Sequence, residues 1–224
     1  MRQFFFLPKF ILLGLFFILL WTHLYCPIIL EIFILLIVLF FLFIFRRAHI
    51  IYQDTLKNNG EIYLSPVHGI IESIRHSVLT PDYPGHCHEI RISISIWNEK
   101  GLYLPTTGET TYLKANRGIK VHRNSPTHVF YGPVEEIAHT DLKFTSKNQT
   151  PTLMRFIDCT TGKRPTIWLK SGDRGRGGAC FGHYPFGGTL LIYLPDNSDI
   201  LVYEKERLAP GQTVIAALKD LPKG

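Results

Sequence analysis

Two apolar runs close to the N-terminus, about Phe10 to Leu24 and Pro27 to Phe45, constrain what this chain can become more than any later feature. Residues 1–47 hold 13 of the 29 aromatic residues, with a single acid, Glu31, and four bases, Arg2, Lys9, Arg46 and Arg47. So apolar a segment argues against a wholly soluble protein and reads as a transmembrane helical hairpin turning at Thr22, His23, Tyr25, Cys26 and Pro27. At a rise of about 1.5 Å per residue the second run is about 28 Å long, against a hydrocarbon core of about 30 Å. The first is nearer 22 Å on the same arithmetic and must borrow Phe4 to Leu7 or stay re-entrant. The bases lie outside the two runs, so positive-inside bias puts both ends in the cytoplasm. A secretory signal peptide is the competing reading, but its apolar region would not continue through a second run, and no clear small-residue cleavage site separates the two. Glu31, four residues into the second run, reads as an interfacial carboxylate rather than a functional charge in lipid.

The expected division is therefore a membrane anchor over 1–47 and a second domain over 48–224. The latter holds 20 bases and 17 acids, a net +3 too balanced for a nucleic-acid-binding surface. Four cysteines, Cys26, Cys87, Cys159 and Cys180, lack paired spacing, which argues against a disulfide scaffold or a Cys-rich zinc module and is compatible with a reducing compartment. Short β-prone runs broken by Gly, Pro, Asn and Asp predict strands at Glu61–Leu64, Glu89–Trp97, Thr166–Leu169, Thr189–Leu194 and Ile200–Glu204. Short turns are expected within Gly132–Thr140 and Lys205–Leu208. From Glu89 to Ile96 the isoleucines alternate with Arg91, Ser93 and Ser95, which places one face in a core and leaves the other wet or lining a cleft. Leu190 to Leu194 is apolar without a break, as in a strand covered on both faces. The fold class is mostly β, with sandwich or barrel packing.

Four segments, in order, resemble the pyruvoyl-dependent phosphatidylserine decarboxylases, particularly the short membrane-anchored bacterial type. That family carries an S-P-x-D-G turn, and Ser65–Pro66–Val67–His68–Gly69 has the same frame with His at the Asp position. Its D-V-H signature precedes a Pro and then a Gly. Placing Pro105 and Gly108 on these without gaps puts Asn98 and Lys100 where the family has Asp and His. An F-G-S-R segment leading through a strand into L-P is similar to Phe186–Gly187–Gly188–Thr189 through Leu194–Pro195, with Gly at the Ser position. A closing stretch resembles Leu208 to Ala216. The resemblance covers about Leu64 to Ala216 and implies a barrel-sandwich-like domain, a membrane phospholipid as partner, with phosphatidylserine foremost, and a bacterial inner membrane with the β domain cytoplasmic.

In that family a serine hydroxyl attacks the preceding glycine carbonyl; the ester then eliminates, and the dehydroalanine hydrolyses to pyruvoyl, the electron sink for decarboxylation. A His that takes the serine proton and an Asp that orients it resemble the logic of hydroxyl activation elsewhere. Here the matching positions are Gly188 for the nucleophile, Lys100 for the base and His68 for the orienting acid, all three altered. Gly188 carries no oxygen, so the usual self-processing is excluded and no cofactor is expected. Pyruvoyl is expected only if self-cleavage occurs, and a rescue through Thr189 would yield a 2-ketobutyryl group instead. The expected protein is a phosphatidylserine decarboxylase relative that stays unprocessed and binds lipid or regulates. An active decarboxylase cleaving atypically near Gly188–Thr189 is the alternative.

Outside the resemblance, His68 reads as a polar turn residue and Lys100 as a solvated strand-end charge. His86 and His88 are placed on one side of a strand, where a third ligand from His76, His122, His128 or His183 would make a zinc site and a metal-dependent hydrolase. No metal is assigned on that spacing. Cys180 reads as a small buried residue before a thiol nucleophile. A basic stretch with Lys163, Arg164, Lys170, Arg174 and Arg176 is either a solvated loop or a contact for anionic headgroups.

Overall fold

The computed structural model of the chain describes residues 9–25, 28–44, 61–120, 137–158 and 164–218. These fall into two compact units, Met1–Ala48 and His49–Gly224. In the first, α1 (Lys9–Tyr25) and α2 (Ile28–Ile44) contact each other. Phe16, Phe17 and Trp21 on α1 and Ile28, Phe33 and Leu36 on α2 are exposed, while Val38 is buried. Each helix has 17 residues, about 25 Å at the α-helical rise, short of a hydrocarbon core of about 30 Å. No helix among the described residues is long and apolar enough to cross a membrane. The spans expected at 10–24 and 27–45 are thus not supported as crossings; Pro27 and Phe45 lie outside the described residues.

The second unit is built from β1 (Ile62–Leu64), β2 (Gly69–Leu79), β3 (His86–Ile94), β4 (Gly101–Tyr103), β5 (Gly108–Asn116), β6 (His139–Ser146) and β7 (Pro151–Ile157). It continues with β8 (Thr166–Ile167), β9 (Arg174–Gly175), β10 (Cys180–His183), β11 (Gly188–Pro195), β12 (Ser198–Ile200), β13 (Arg207–Leu208) and β14 (Val214–Leu218). An eight-stranded sheet in the order β13-β2-β3-β11-β7-β6-β5-β9 is joined by two three-stranded sheets, β1-β14-β12 and β4-β10-β8. All the strand pairs are antiparallel.

Alternation decides the layers. Ile90, Ile92 and Ile94 of β3 share one core with Leu190, Ile192 and Leu194 of β11, Met154 and Phe156 of β7, and Leu142 and Phe144 of β6. Tyr63, Leu102, Phe181 and Ile215 from the small sheets complete it, so the unit is sandwich-like. The continuous run of β11 is covered on both sides as its sequence requires, because Leu191 and Tyr193 enter a second cluster with Tyr83, Cys87, Ile137, Leu153 and Ile157.

Four sequence expectations are corrected. β3 stops at Ile94, and Ser95 to Asn98 turn away, closed by the Asn98 amide donating to the Ser95 carbonyl at 3.1 Å. The run expected over Ile200–Glu204 ends its strand at Ile200, and Lys205 adopts a φ of 68° in the turn that follows. Within Gly132–Thr140, His139 and Thr140 open β6 instead of a turn; 132–136 lie outside the described residues. Finally, the second face of β3 is not openly wet: Glu89 and Arg91 on it are buried and Ser93 is half-buried.

Candidate functional site

The four motif segments converge. The Ser65 amide donates to the Thr213 carbonyl and the Gly211 amide to the Ser65 carbonyl, which joins the S-P-V-H-G turn to the closing stretch. The Tyr103 amide donates to the Pro66 carbonyl and the Leu64 amide to the Pro105 carbonyl, which brings in the third segment. Ser65 is itself buried and its Oγ donates to the Val67 carbonyl at 2.8 Å, fixing the turn that carries His68.

At the end of β3 these segments meet β11. The His68 carbonyl accepts a hydrogen bond from Asn98 Nδ2 at 3.2 Å, and His68 is half-buried. Lys100 is not a solvated charge but only 1 % exposed; its ammonium donates to the Ser95 carbonyl at 3.0 Å and to the Ile96 carbonyl. Ile94, the residue before that loop, pairs with Gly188. The amide of Tyr184 donates to the Lys100 carbonyl at 2.8 Å. His68, Asn98, Lys100 and Gly188 therefore occupy one end of the large sheet. The cation at this end serves the protein's own carbonyls.

Gly188 has a φ of 155°, in the region that favours glycine. A Cβ there would fall against the phenol of Tyr184, 2.7 Å from Cζ and 2.9 Å from Cε1. Tyr184 is buried, its hydroxyl donates to the Ile157 carbonyl at 2.5 Å, and its ring meets Phe156 edge-on. The space in which a side chain at position 188 would project is filled. Gly187, at φ 70°, is equally tight, for its Cβ would press on the Ile94 carbonyl. Thr189 pairs with Ser93 and, by strand alternation, projects from the opposite face of the sheet.

The histidine motif separates. His88, buried, sets its Nδ1 3.3 Å from His76 Nδ1 and its Nε2 3.0 Å from the Asp196 carbonyl, whereas His86 is exposed and 3.3 Å from Ser77 Oγ. His183 lies against Trp168, and burial lowers its pKa. Among the described residues no three His, Cys, Asp or Glu side chains group as a metal ion requires; His122 and His128 lie outside them. Cys180 is half-buried and donates to the Gly182 carbonyl at 3.4 Å, and burial pushes the Cys87 thiol up to about 11. Of the basic stretch, Arg164 pairs with Asp158 at 2.6 Å and Arg174 with Glu109 at 2.9 Å, while Lys170 is exposed.

Sequence reasoning missed a buried charge network on the second face of the large sheet. Arg155, 1 % exposed, donates from Nε and Nη2 to the two oxygens of Asp141, each at 2.8 Å, and also reaches Asp82. Burial alone would lower the Arg155 pKa, but the hydrogen bonds and charge of Asp141, with the bond to Asp82, raise it. The Asp82 carboxyl is held below its usual range chiefly by the hydrogen bond from Arg155. His139 Nε2 stands 3.5 Å from Asp141 Oδ2, and the Arg155 guanidinium lies 6.0 Å from the Tyr193 ring centre. The available signal was a lone arginine inside the apolar run Leu153–Met154–Arg155–Phe156–Ile157.

No family model matches the chain. Several curated proteins named phosphatidylserine decarboxylase proenzyme do. The one from Parabacteroides distasonis is 23% identical over 159 residues, 70% of this chain and 69% of that protein. The one from Symbiobacterium thermophilum is 26% identical over 180 residues, 80% of each. The one from Carboxydothermus hydrogenoformans is 25% identical over 190 residues, 83% of each. The chain is related to these proenzymes.

Proposed function

We propose that this relative of the phosphatidylserine decarboxylase proenzymes acts in phospholipid metabolism as a single uncleaved polypeptide that binds phospholipid without decarboxylating it. One observation carries the reading: the Tyr184 phenol fills the place of a side chain at Gly188, the position that the motif resemblance sets on the family's serine. A pyruvoyl group is made from a residue that carries oxygen on Cβ, and the residues at this end do not fit one. The other two altered positions agree. Lys100 donates to the Ser95 and Ile96 carbonyls, and His68 presents its backbone carbonyl to Asn98. In its ordinary ammonium form a lysine is a donor only, with no lone pair to accept a proton.

Contact with lipid is supported by Trp97, 59 % exposed, and Phe186, 37 % exposed, on the two loops that meet at this end. The first unit exposes a dense apolar surface on α1 and α2, of the kind that marks membrane or protein contacts. We assign it the role of a membrane anchor, with the second unit on the cytoplasmic side as the flanking bases direct. Intact-mass measurement of the freshly purified chain tests the reading. One species near 25.7 kDa is expected, with no turnover of phosphatidylserine in detergent. A short fragment beginning at residue 189 with a keto group at its N-terminus would overturn it in favour of an active decarboxylase. The extended similarity to the proenzymes favours that second reading; Thr189, the hydroxyl it needs, projects from the other face of the sheet.

A further inference from the structure

Each buried charge among the described residues has a partner within the chain, with one exception. Arg155 is held by Asp141, Lys100 by two carbonyls and Glu89 by Arg75 at 2.5 Å. Arg91, in the middle of β3 and only 8 % exposed, makes no ion pair among the described residues, and its Nε is buried without a hydrogen-bond partner. A guanidinium N–H taken out of water without an acceptor is unfavourable, and proteins pair such a group or present its fork to a ligand.

The neighbours of Arg91 indicate which ligand. Its cross-strand partners on the same face are Ser73 of β2 and Leu191 of β11. Two residues along, Ser93 pairs with Thr189, so both stand on that face beside it. Ser73, Ser93 and Thr189 are half-buried, and none of the side-chain hydrogen bonds among the described residues uses their hydroxyls. The nearest acid on the strand, Glu89, is already engaged by Arg75 and by the Tyr193 hydroxyl. A planar cationic fork with three hydroxyl-bearing residues at neighbouring register positions of the same face suits an anion with more than two acceptor oxygens, which a tetrahedral phosphate has and a carboxylate lacks.

We propose that Arg91, with Ser73, Ser93 and Thr189, forms a binding subsite for a phosphate group on the second face of the large sheet. The phosphate is that of a phospholipid headgroup or a free phosphate. The lipid source rests on the function proposed above; the subsite itself does not. Thr189 thereby has a role as a ligand donor that needs no self-cleavage.

The test uses the full chain in a neutral detergent, titrated with inorganic phosphate, with glycerophosphoserine and with short-chain phosphatidylserine. Binding is followed by thermal unfolding and by calorimetry, beside Arg91→Met, Arg91→Lys and Thr189→Val. Phosphate compounds are expected to raise the unfolding temperature of the natural chain. Arg91→Met is expected to unfold no lower than it without ligand, because an unpaired charge has been removed, and to bind at least tenfold more weakly. Arg91→Lys and Thr189→Val are expected to fall between. Binding by inorganic phosphate as tight as by the lipid assigns a free phosphate; binding by the lipid alone assigns a headgroup. Equal binding by the natural chain and Arg91→Met, or no response to any of the three compounds, overturns the subsite. Should Arg91→Met fail to fold, loss of binding in Arg91→Lys and Thr189→Val decides in its place, and undiminished binding in both overturns the proposal. Intact mass on the same sample keeps the two conclusions apart. A cleaved chain overturns the uncleaved reading and leaves the phosphate response legible, whereas an intact chain with no response overturns the subsite alone.

Discussion

At Gly188 one residue carries both a backbone requirement and a chemical consequence. A φ of 155° and a phenol against the absent Cβ mean that restoring a side chain is opposed twice. Gly188→Ala is expected to cost about 1–3 kcal/mol, the range for a non-glycine residue forced into such a region, with displacement of Tyr184 added. Urea unfolding measures it, and a neutral substitution would show that the ring yields easily. Gly188→Ser is expected to be destabilised alike and to remain one uncleaved chain by mass. Tyr184→Phe relieves only the hydroxyl contact, leaves Cζ in place, and deprives the Ile157 carbonyl of its donor. It is expected to cost about 1 kcal/mol and not to restore cleavage of Gly188→Ser. The absent oxygen was legible in the sequence, since it follows from residue type alone. The filled cavity was not, because Tyr184 lies four residues upstream and turns back on Gly188 through the Gly187 bend. Lys100 was misread for a similar reason: the carbonyls that hold its ammonium belong to a loop whose path no local pattern announces.

Strands were legible where alternation or an unbroken apolar run set the burial of each face, as in β3 and β11. Their partners were not. Asp141 and Arg155 become neighbours only when β6 folds back on β7 in the register that sets them opposite each other. Before pairing, each is a charged residue in a β-prone run. That pairing is testable. Arg155→Met leaves Asp141 buried without its counter-charge and is expected to lose about 3–5 kcal/mol, whereas adding Asp141→Leu is expected to recover most of the loss. Unfolding curves of the single and double variants give the difference directly, and a single variant as stable as the natural chain would remove the network from the account. Asp82 adds a pH dependence. Its pKa is depressed in the folded chain from an ordinary 3.8, so its contact with Arg155 contributes fully at neutral pH and is lost as the pH falls through the lowered value. The stability gap between the natural chain and Asp82→Asn is therefore expected to be widest near pH 7 and to close well below pH 3.8. A gap that is constant from neutral to acid pH would assign Asp82 no such role.

On the scale of the molecule, the two units have opposite relations to water. The two hydrophobic clusters of the second unit draw on residues between Tyr63 and Ala216, with Leu218 packed against them, and contain no residue of α1 or α2. Its core is thus complete without the first unit, and the chain shortened to 49–224 is expected to fold with one cooperative transition. The first unit has the reverse character: two 17-residue helices that touch each other yet leave Phe16, Phe17, Trp21, Phe33 and Leu36 exposed. Leaving that surface in water costs roughly 25 cal/mol per Å² of apolar area, so the proposed anchor is expected to enter lipid or detergent. Phase partitioning in a detergent that clouds on warming should place the full chain in the detergent-rich phase and 49–224 in the aqueous phase. If both chains stayed in the aqueous phase, the first unit would be covering its apolar surface with protein and the anchor would have to be abandoned. If both entered detergent, the second unit would carry the lipid contact by itself, through the loops bearing Trp97 and Phe186.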